Sequence, residues 1–449
     1  MIAPRFGTAA VLAAVLLGSP AGAAAPAAQA MLPNLGPGVS VGRLPTGGTY
    51  VVSPLAGAPV AAVELWYRAP ATGFGSKPTP SLSRLAAEVV AASQPLVGKP
   101  LGSQIADAGG RLVIDAYNDS IEISALVPAA SASAIVRAMT TAYFAPVVAD
   151  DGYREAQQDV AQEALFSSFD PEAAIRNAIF SELFSAGPQH YPVMGPPSGV
   201  AEISFETVRA FATRAFRSQN ATLVIVGAVD PSIVAAAVAG RPSDDPAPEA
   251  AATPLPATTL APVSLAFVEP GGGRGWIGPP IGDEKAATAM DFIADYLFRS
   301  GSGVIPKAVA KVDPQAFVGG QFITLHDPGV LFVGYSAKSL APIEPIVASA
   351  IADIQKPLER RTFAAALAEF KYHLLHDLQT PSEIADNFGW YSIEGNPAYA
   401  PGVGGSRGAY FQAADALTPD FVAQVARTYL GKPPAVVTLG PDLGKGSST

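Results

Sequence analysis

The sequence has no cysteine, which removes disulfides, thiol nucleophiles and cysteine-ligated metal sites from consideration. Histidine is nearly as scarce: His190, His326, His373 and His376 are its only four imidazoles. Charged residues make up 15% of a chain that is 49% hydrophobic, which is not the balance of a disordered acidic polymer. Positive charge is short. Twenty-eight Lys and Arg stand against 38 Asp and Glu, for a net charge of −10, and the basic residues are not clustered. Phosphate backbones are gripped by clustered Lys and Arg, so nucleic acid is excluded as a partner. There is no Gly-x-Ser-x-Gly nucleophile turn. The glycine run Gly271–Gly273 lacks the Lys and Ser/Thr of a phosphate loop, and no element is assigned to it. The apolar run Ala9–Leu17 is too short to cross a bilayer, and no later stretch reads as transmembrane.

What is present is apolar material for a large core, in a length that suggests two or three domains. Residues 1–30 read as a signal peptide. Arg5 supplies the positive flank, Ala9–Leu17 the apolar core, and Ala-x-Ala sites end at Ala23, Ala25 and Ala30. The expectation is a periplasmic or secreted protein with no membrane span after cleavage. A short hairpin over 38–52 leads in. Apolar patterning predicts strands over 60–68, 111–117, 121–127 and 221–229, and helices over 81–93, 130–144, 153–169 and 204–216. Asn118-Asp119 makes a hairpin turn. Asp170-Pro171 opens a further helix, with Asp as cap and Pro in the first turn. The Pro- and Ala-rich stretch 241–262 has no periodicity and reads as a linker. A second series follows, with strands over 263–268, 316–325, 329–336 and 435–440 and helices over 284–298, 341–355, 358–378, 381–393 and 418–430.

The second series repeats the first. Val208, Phe211, Ala212 and Phe216 pair with Val422, Val425, Ala426 and Leu430 at one constant spacing, and Asp170-Pro171 pairs with Thr380-Pro381 at nearly the same one. Agreement in order, length and linker position indicates a duplicated unit. The first copy is placed at 31–240 and the second at 263–442, with 443–449 as a tail.

This order closes each copy with a helix and strand, in the first copy of the form V-x-x-F-A-x-x-x-F…N-x-T-L-V-I-V-G. It resembles the zinc peptidases related to pitrilysin, insulin-degrading enzyme and the mitochondrial processing peptidase. VELWYR at Val63–Arg68, DAGGRLVI at Asp107–Ile114, Asp151–Asp170 before Pro171, and FSAGPQHYPVMG at Phe184–Gly195 carry the likeness across the segments between. The resemblance implies an α+β fold twice over, each half a mostly antiparallel sheet with helices packed on one face.

Active members of that family carry His-x-x-Glu-His on a helix, with a distant Glu as third zinc ligand. The resemblance places Arg84 and Glu88 at the two His positions and Ala87 at the general base. A guanidinium cannot ligate zinc and a methyl cannot take a proton. Residues 82–93 contain no His in any register. The expectation is a degenerate motif with no catalytic residue and no metal. The third-ligand position falls within 153–163, at Glu155 or a neighbour. Arg84 and Glu88 read as solvated residues, with at best an i, i+4 pair worth a few tenths of a kcal/mol.

In the second half the resemblance implies an Arg and a Tyr that hold substrate. Arg299 precedes the corresponding loop, and Phe317 stands near the Tyr position without its hydroxyl. Ser300-Gly301-Ser302-Gly303 is similar to the glycine-rich stretch that the noncatalytic processing-peptidase subunit offers to substrates. Ser300, Gly301, Ser302, Gly303 and Phe317 are therefore the substrate-binding candidates. His373 and His376 lie at i, i+3 beside Asp377 but lack a converging third ligand. His190 and His326 read as surface loop residues.

A chain of this length without the motif resembles the noncatalytic subunit of a heterodimer. The implied partner is a zinc-binding homologue, the implied ligands are peptides, and zinc is expected only in the partner. The alternatives are a stand-alone structural or peptide-binding protein, and an enzyme with its site relocated to His373 and His376.

Overall fold

The computed structural model describes residues 38–93, 98–234 and 252–441. The expected signal peptide, the first half of the 241–262 stretch and the tail lie outside the described residues. In the first half, β1 (Ser40–Arg43), β2 (Thr49–Pro54) and β3 (Val60–Tyr67) precede α1 (Leu82–Ala92) and α2 (Leu101–Asp107). Then come β4 (Arg111–Ala116), β5 (Ile121–Pro128), α3 (Ala132–Phe144), α4 (Asp150–Ser167), α5 (Pro171–Leu183) and the short β6 (Phe184–Ala186). Helices α6 (Pro197–Glu202) and α7 (Phe205–Ala215) lead to β7 (Ala221–Gly227), and β8 (Leu255–Pro256) pairs with β6. The second half runs β9 (Val263–Ala266), β10 (Gly271–Ile277), α8 (Glu284–Phe298), α9 (Val304–Val312), β11 (Phe317–Ile323) and β12 (Val330–Ser336). It closes with α10 (Glu344–Asp353), α11 (Arg360–His376), α12 (Pro381–Glu394), α13 (Ala409–Asp415), α14 (Pro419–Leu430) and β13 (Ala435–Gly440).

The duplication is visible in the topology. The first sheet has the order β1-β2-β7-β3-β5-β4 and the second β11-β12-β10-β13-β9. Read in the same sense, β2-β7-β3-β5-β4 matches β9-β13-β10-β12-β11 strand for strand. Each copy has one parallel pair, β2 with β7 and β13 with β9, at the equivalent place, and every other pair is antiparallel. The outer face of the first sheet carries α1, α3 and α7 over a core that includes Val63, Leu65, Leu85, Val136, Phe211 and Ile225. No helix among the described residues is long and apolar enough to cross a membrane.

The halves are interlocked by exchanged helices. Helix α5, capped by Asp170 with Pro171 in its first turn, packs on β10, β12 and β13 of the second sheet. Helix α12, opened by a capping box between Thr380 and Glu383, packs on β3 and β7 of the first. The two matching cap sequences thus start the two matching crossovers.

β10 was not expected as a strand, because glycine is depleted in strands. It is nonetheless the middle strand of its sheet. A Cβ at Gly273 would lie 2.2 Å from Ile175 Cγ2, and one at Gly275 2.2 Å from Ile179 Cγ2. The missing side chains are the space that α5 fills. On the other side the roles reverse: Gly389 of α12 leaves room for the indole of Trp66 on β3.

Candidate functional site

Helix α1 starts at an unusual backbone position. Ser81 has φ 71°, a left-handed conformation for a residue with a side chain. That conformation costs roughly 1–2 kcal/mol. It is held from both sides: Ser81 N–H donates to Val193 O at 2.8 Å, and Gly195 N–H donates to Ser81 Oγ at 2.9 Å. The Phe184–Gly195 segment therefore fixes where the degenerate helix begins.

Arg84 and Glu88 are half-buried rather than fully solvated. The Arg84 side chain is 16% exposed, and Nη1 contacts Glu88 Oε1 at 2.5 Å. A second carboxylate closes on the same guanidinium: Nη2 lies 3.0 Å from Glu163 Oε2, and Nε donates to that oxygen at 3.1 Å. The residue facing the motif from α4 is thus Glu163, and Glu155 is exposed elsewhere on that helix. The helix crossing explains why Glu163, at the end of the expected 153–163 window, is the residue that faces it. Gly152, near the start of α4, packs against Ser93 at the end of α1. The helices run antiparallel, so the start of α1 meets the end of α4. Burial opposes the charge on Arg84, but Glu88 and Glu163 outweigh it and hold its pKa above the ordinary value. Burial raises the Glu88 pKa, with Arg84 pulling against it. Ala87 is fully buried, and its carbonyl accepts from Tyr143 Oη at 2.9 Å. The arrangement can bind a carboxylate pair to a fixed cation; it offers no proton acceptor at position 87.

The second-half candidates sit apart from this cluster. Ser300–Gly303 turns between α8 and α9, with Gly303 N–H donating to Arg299 O at 2.7 Å. Ser302 lines a cavity of about 410 Å³ with Asp295, Lys307, Arg361 and Glu369, all from the second half. Phe317, 42% exposed, begins the edge strand β11 and does not line that cavity. Arg299 is tied to Asp377 by two hydrogen bonds of 2.5 and 2.8 Å. His373 Nδ1 lies 3.0 Å from both carboxylate oxygens of Asp295, whereas His376 is exposed and turns to Asp377 at 3.5 Å. The two imidazoles do not converge. His190 is half-buried, its Nδ1 2.6 Å from Phe184 O; His326 is exposed.

The interface between the halves carries buried acids that sequence reasoning missed. Glu64 of β3 and Glu122 of β5 are 1% and 5% exposed and face Asp386 of α12. One carboxylate oxygen from each lies within 4.8 Å of the others. Burial, then Asp386 and Glu122, pushes Glu64 well above the usual carboxylate range. Burial, then Asp386, does the same to Glu122, and burial raises Asp386 to about 6. Nearby, Glu394 of α12 meets Asp119 of the first-half hairpin turn. Burial, then Asp119, pushes Glu394 up to about 8, and its Oε2 accepts from His326 N–H at 2.8 Å. The only signal in the sequence was Glu64 and Glu122 inside otherwise apolar strand patterns.

No family model matches the sequence, and no curated protein matches it. Solved structures do. A protease from Helicobacter pylori is 15% identical with a TM-score of 0.75, over 92% of this chain and 100% of that one. An M16-like peptidase from Alicyclobacillus acidocaldarius is 15% identical with a TM-score of 0.72, over 89% and 97%. A peptidase M16 inactive domain from Pseudomonas fluorescens is 14% identical with a TM-score of 0.74, over 90% and 98%. At these identities the likeness shows the fold: the chain has the duplicated α+β fold of M16-like peptidases.

Proposed function

We propose that this chain is a catalytically inactive relative of the M16 peptidases that completes the peptide-binding chamber of a zinc-bearing homologue. The observation that carries the reading is Arg84. Its guanidinium is bracketed by Glu88 and Glu163 at the place where the family resemblance puts a zinc ion. A side-chain cation cannot exchange for a metal, and Ala87 cannot deprotonate a bound water. The solved inactive domain of the same fold supports the idea that such a chain is kept without chemistry.

The peptide would lie along β4. This strand ends the first sheet, and its Asp115 is exposed. An extended peptide adds to such an edge through its backbone. The partner alone would hold zinc, and the amino-terminal segment would export this chain to the periplasm or beyond.

Tagged and recovered from its native cell envelope, the chain is expected to bring down an equal amount of a homologue containing His-x-x-Glu-His. The pair should cleave peptides, while the isolated chain should hold no stoichiometric zinc and cleave nothing. Stoichiometric zinc with turnover in the isolated chain refutes the reading. Recovery as a homodimer, or with an unrelated partner, favours a structural role instead.

A further inference from the structure

We infer that the cavity beside the Ser300–Gly303 turn is a binding site for a small organic phosphate. It lies within the second half, between the end of α8, the start of α9 and the start of α11. It needs no partner subunit, so its failure would leave the peptide-chamber reading untouched.

Four side chains that line the cavity can donate hydrogen bonds and have no acceptor of their own. Tyr296 Oη, Ser302 Oγ, Lys307 Nζ and the Arg361 guanidinium make no hydrogen bond or ion pair among the described residues. Tyr296 and Ser302 are half-buried, and Lys307 and Arg361 are exposed. Acids outnumber bases in this chain, and two acids line the same cavity, yet neither cation pairs with them. Both acids turn to His373 instead. Its Nδ1 lies 3.0 Å from each oxygen of Asp295, and its Nε2 lies 4.0 Å from Glu369 Oε1. Arg299 adds a second cation 4.0 Å from Asp295. Glu369 stands two turns beyond Arg361 on α11, about 12 Å along the axis, so an anion held at Arg361 is well clear of it. The two cations are left for something that is not part of the chain.

These groups define the ligand. An ammonium carries three N–H donors, a guanidinium five and each hydroxyl one. A carboxylate has only two oxygens to receive them, whereas a phosphate monoester has three terminal oxygens and a charge of about −1.5 to −2 at neutral pH. Arg and Lys are the side chains that suit phosphate, the first as a planar fork and the second as a point charge. The rest of the wall is apolar: the Tyr296 ring, Val304, Ala365 and Ala366. The cavity, about 410 Å³, falls within the range of small-molecule sites, roughly 300–1,000 Å³. A bare phosphate would leave the apolar wall uncovered, so the phosphate is expected to carry an organic part that lies against Tyr296 and the two alanines.

Calorimetric titration of the full chain tests the site with four matched probes: phenyl phosphate, inorganic phosphate, benzoate and phenol. Phenyl phosphate should bind at one per chain, inorganic phosphate more weakly, benzoate more weakly still, and phenol not at all. Lys307→Gln and Arg361→Gln should each weaken phenyl phosphate binding by about tenfold or more, the loss of one charge-assisted hydrogen bond. Both side chains are exposed, so the melting temperature without ligand should stay near that of wild type. Tyr296→Phe keeps the ring and should weaken binding less. Lys77→Gln, an equal change of charge at an exposed position in the first half, should leave it unaltered. Absence of saturable binding of both phenyl phosphate and inorganic phosphate overturns the site, and so does affinity retained in the Lys307→Gln/Arg361→Gln double variant. Benzoate bound as tightly as phenyl phosphate overturns the assignment to phosphate.

Discussion

Arg84 keeps its charge in a largely buried place because two carboxylates flank it. Two acids on neighbouring helices would otherwise repel each other, and the cation between them offsets that repulsion. This predicts what happens when the cation is taken away and imidazole is offered. The double variant Arg84→His/Glu88→His sets two His at i, i+4 on α1 with Glu163 facing them, the ligand set of a zinc site with one open position. One zinc per chain is expected by elemental analysis after dialysis, falling sharply when Glu163→Gln is added. Peptide cleavage should still be absent, because position 87 remains Ala. Failure to take up zinc would show that Glu163 does not face this face of α1 closely enough. The degenerate motif itself was legible, since no His lies anywhere in 82–93. Its partner was not. The choice between Glu155 and Glu163 depends on where α4 crosses α1, and the glycine contact that sets this crossing, Gly152 on Ser93, is a tertiary fact.

Elements were readable where local chemistry and tertiary packing agree. Asp170-Pro171 and Thr380-Pro381 carry their own capping chemistry, so both crossing helices could be placed from the sequence. Their destinations could not, because a cap says where a helix begins and nothing about which sheet it covers. β10 is the opposite case: its residues argue against a strand, and only the approach of α5 explains them. Ile179 Cγ2 sits on a β-branched carbon whose rotamer is stiff, so it cannot swing away from an added methyl. Gly275→Ala is therefore expected to destabilise the protein by about 1–3 kcal/mol in urea denaturation. Adding Ile179→Ala, which removes the colliding methyl, should make the second change less costly in that background than alone. Strict additivity of the two would mean that α5 does not press on Gly275.

At the scale of the whole molecule, the exchanged helices α5 and α12 join the two halves, with polar groups buried where they meet. Beside Glu394 stand Asp119, Arg68 and Gln189 from the first half and the His326 backbone from the second. Glu394 has a pKa raised to about 8, chiefly by burial and then by Asp119. It is protonated at neutral pH and donates to the Asp119 carboxylate, which also accepts from Gln189 Nε2 at 2.8 Å. An acid whose folded pKa lies above its unfolded value binds protons more tightly when folded. Its contribution is complete below the unfolded pKa, about 4.3, and is lost as pH rises through the folded one. Unfolding free energy should fall, by on the order of a few kcal/mol from this group, between pH 5 and pH 8. Glu394→Gln retains an acceptor for His326 N–H and gives Asp119 an amide donor, but cannot ionise. Its stability curve, measured by urea midpoints across that range, should lack the part of the decline due to Glu394. The variant should therefore match wild type most closely at pH 5 and exceed it increasingly toward pH 9. Parallel curves would show that Glu394 is already ionised in the folded protein.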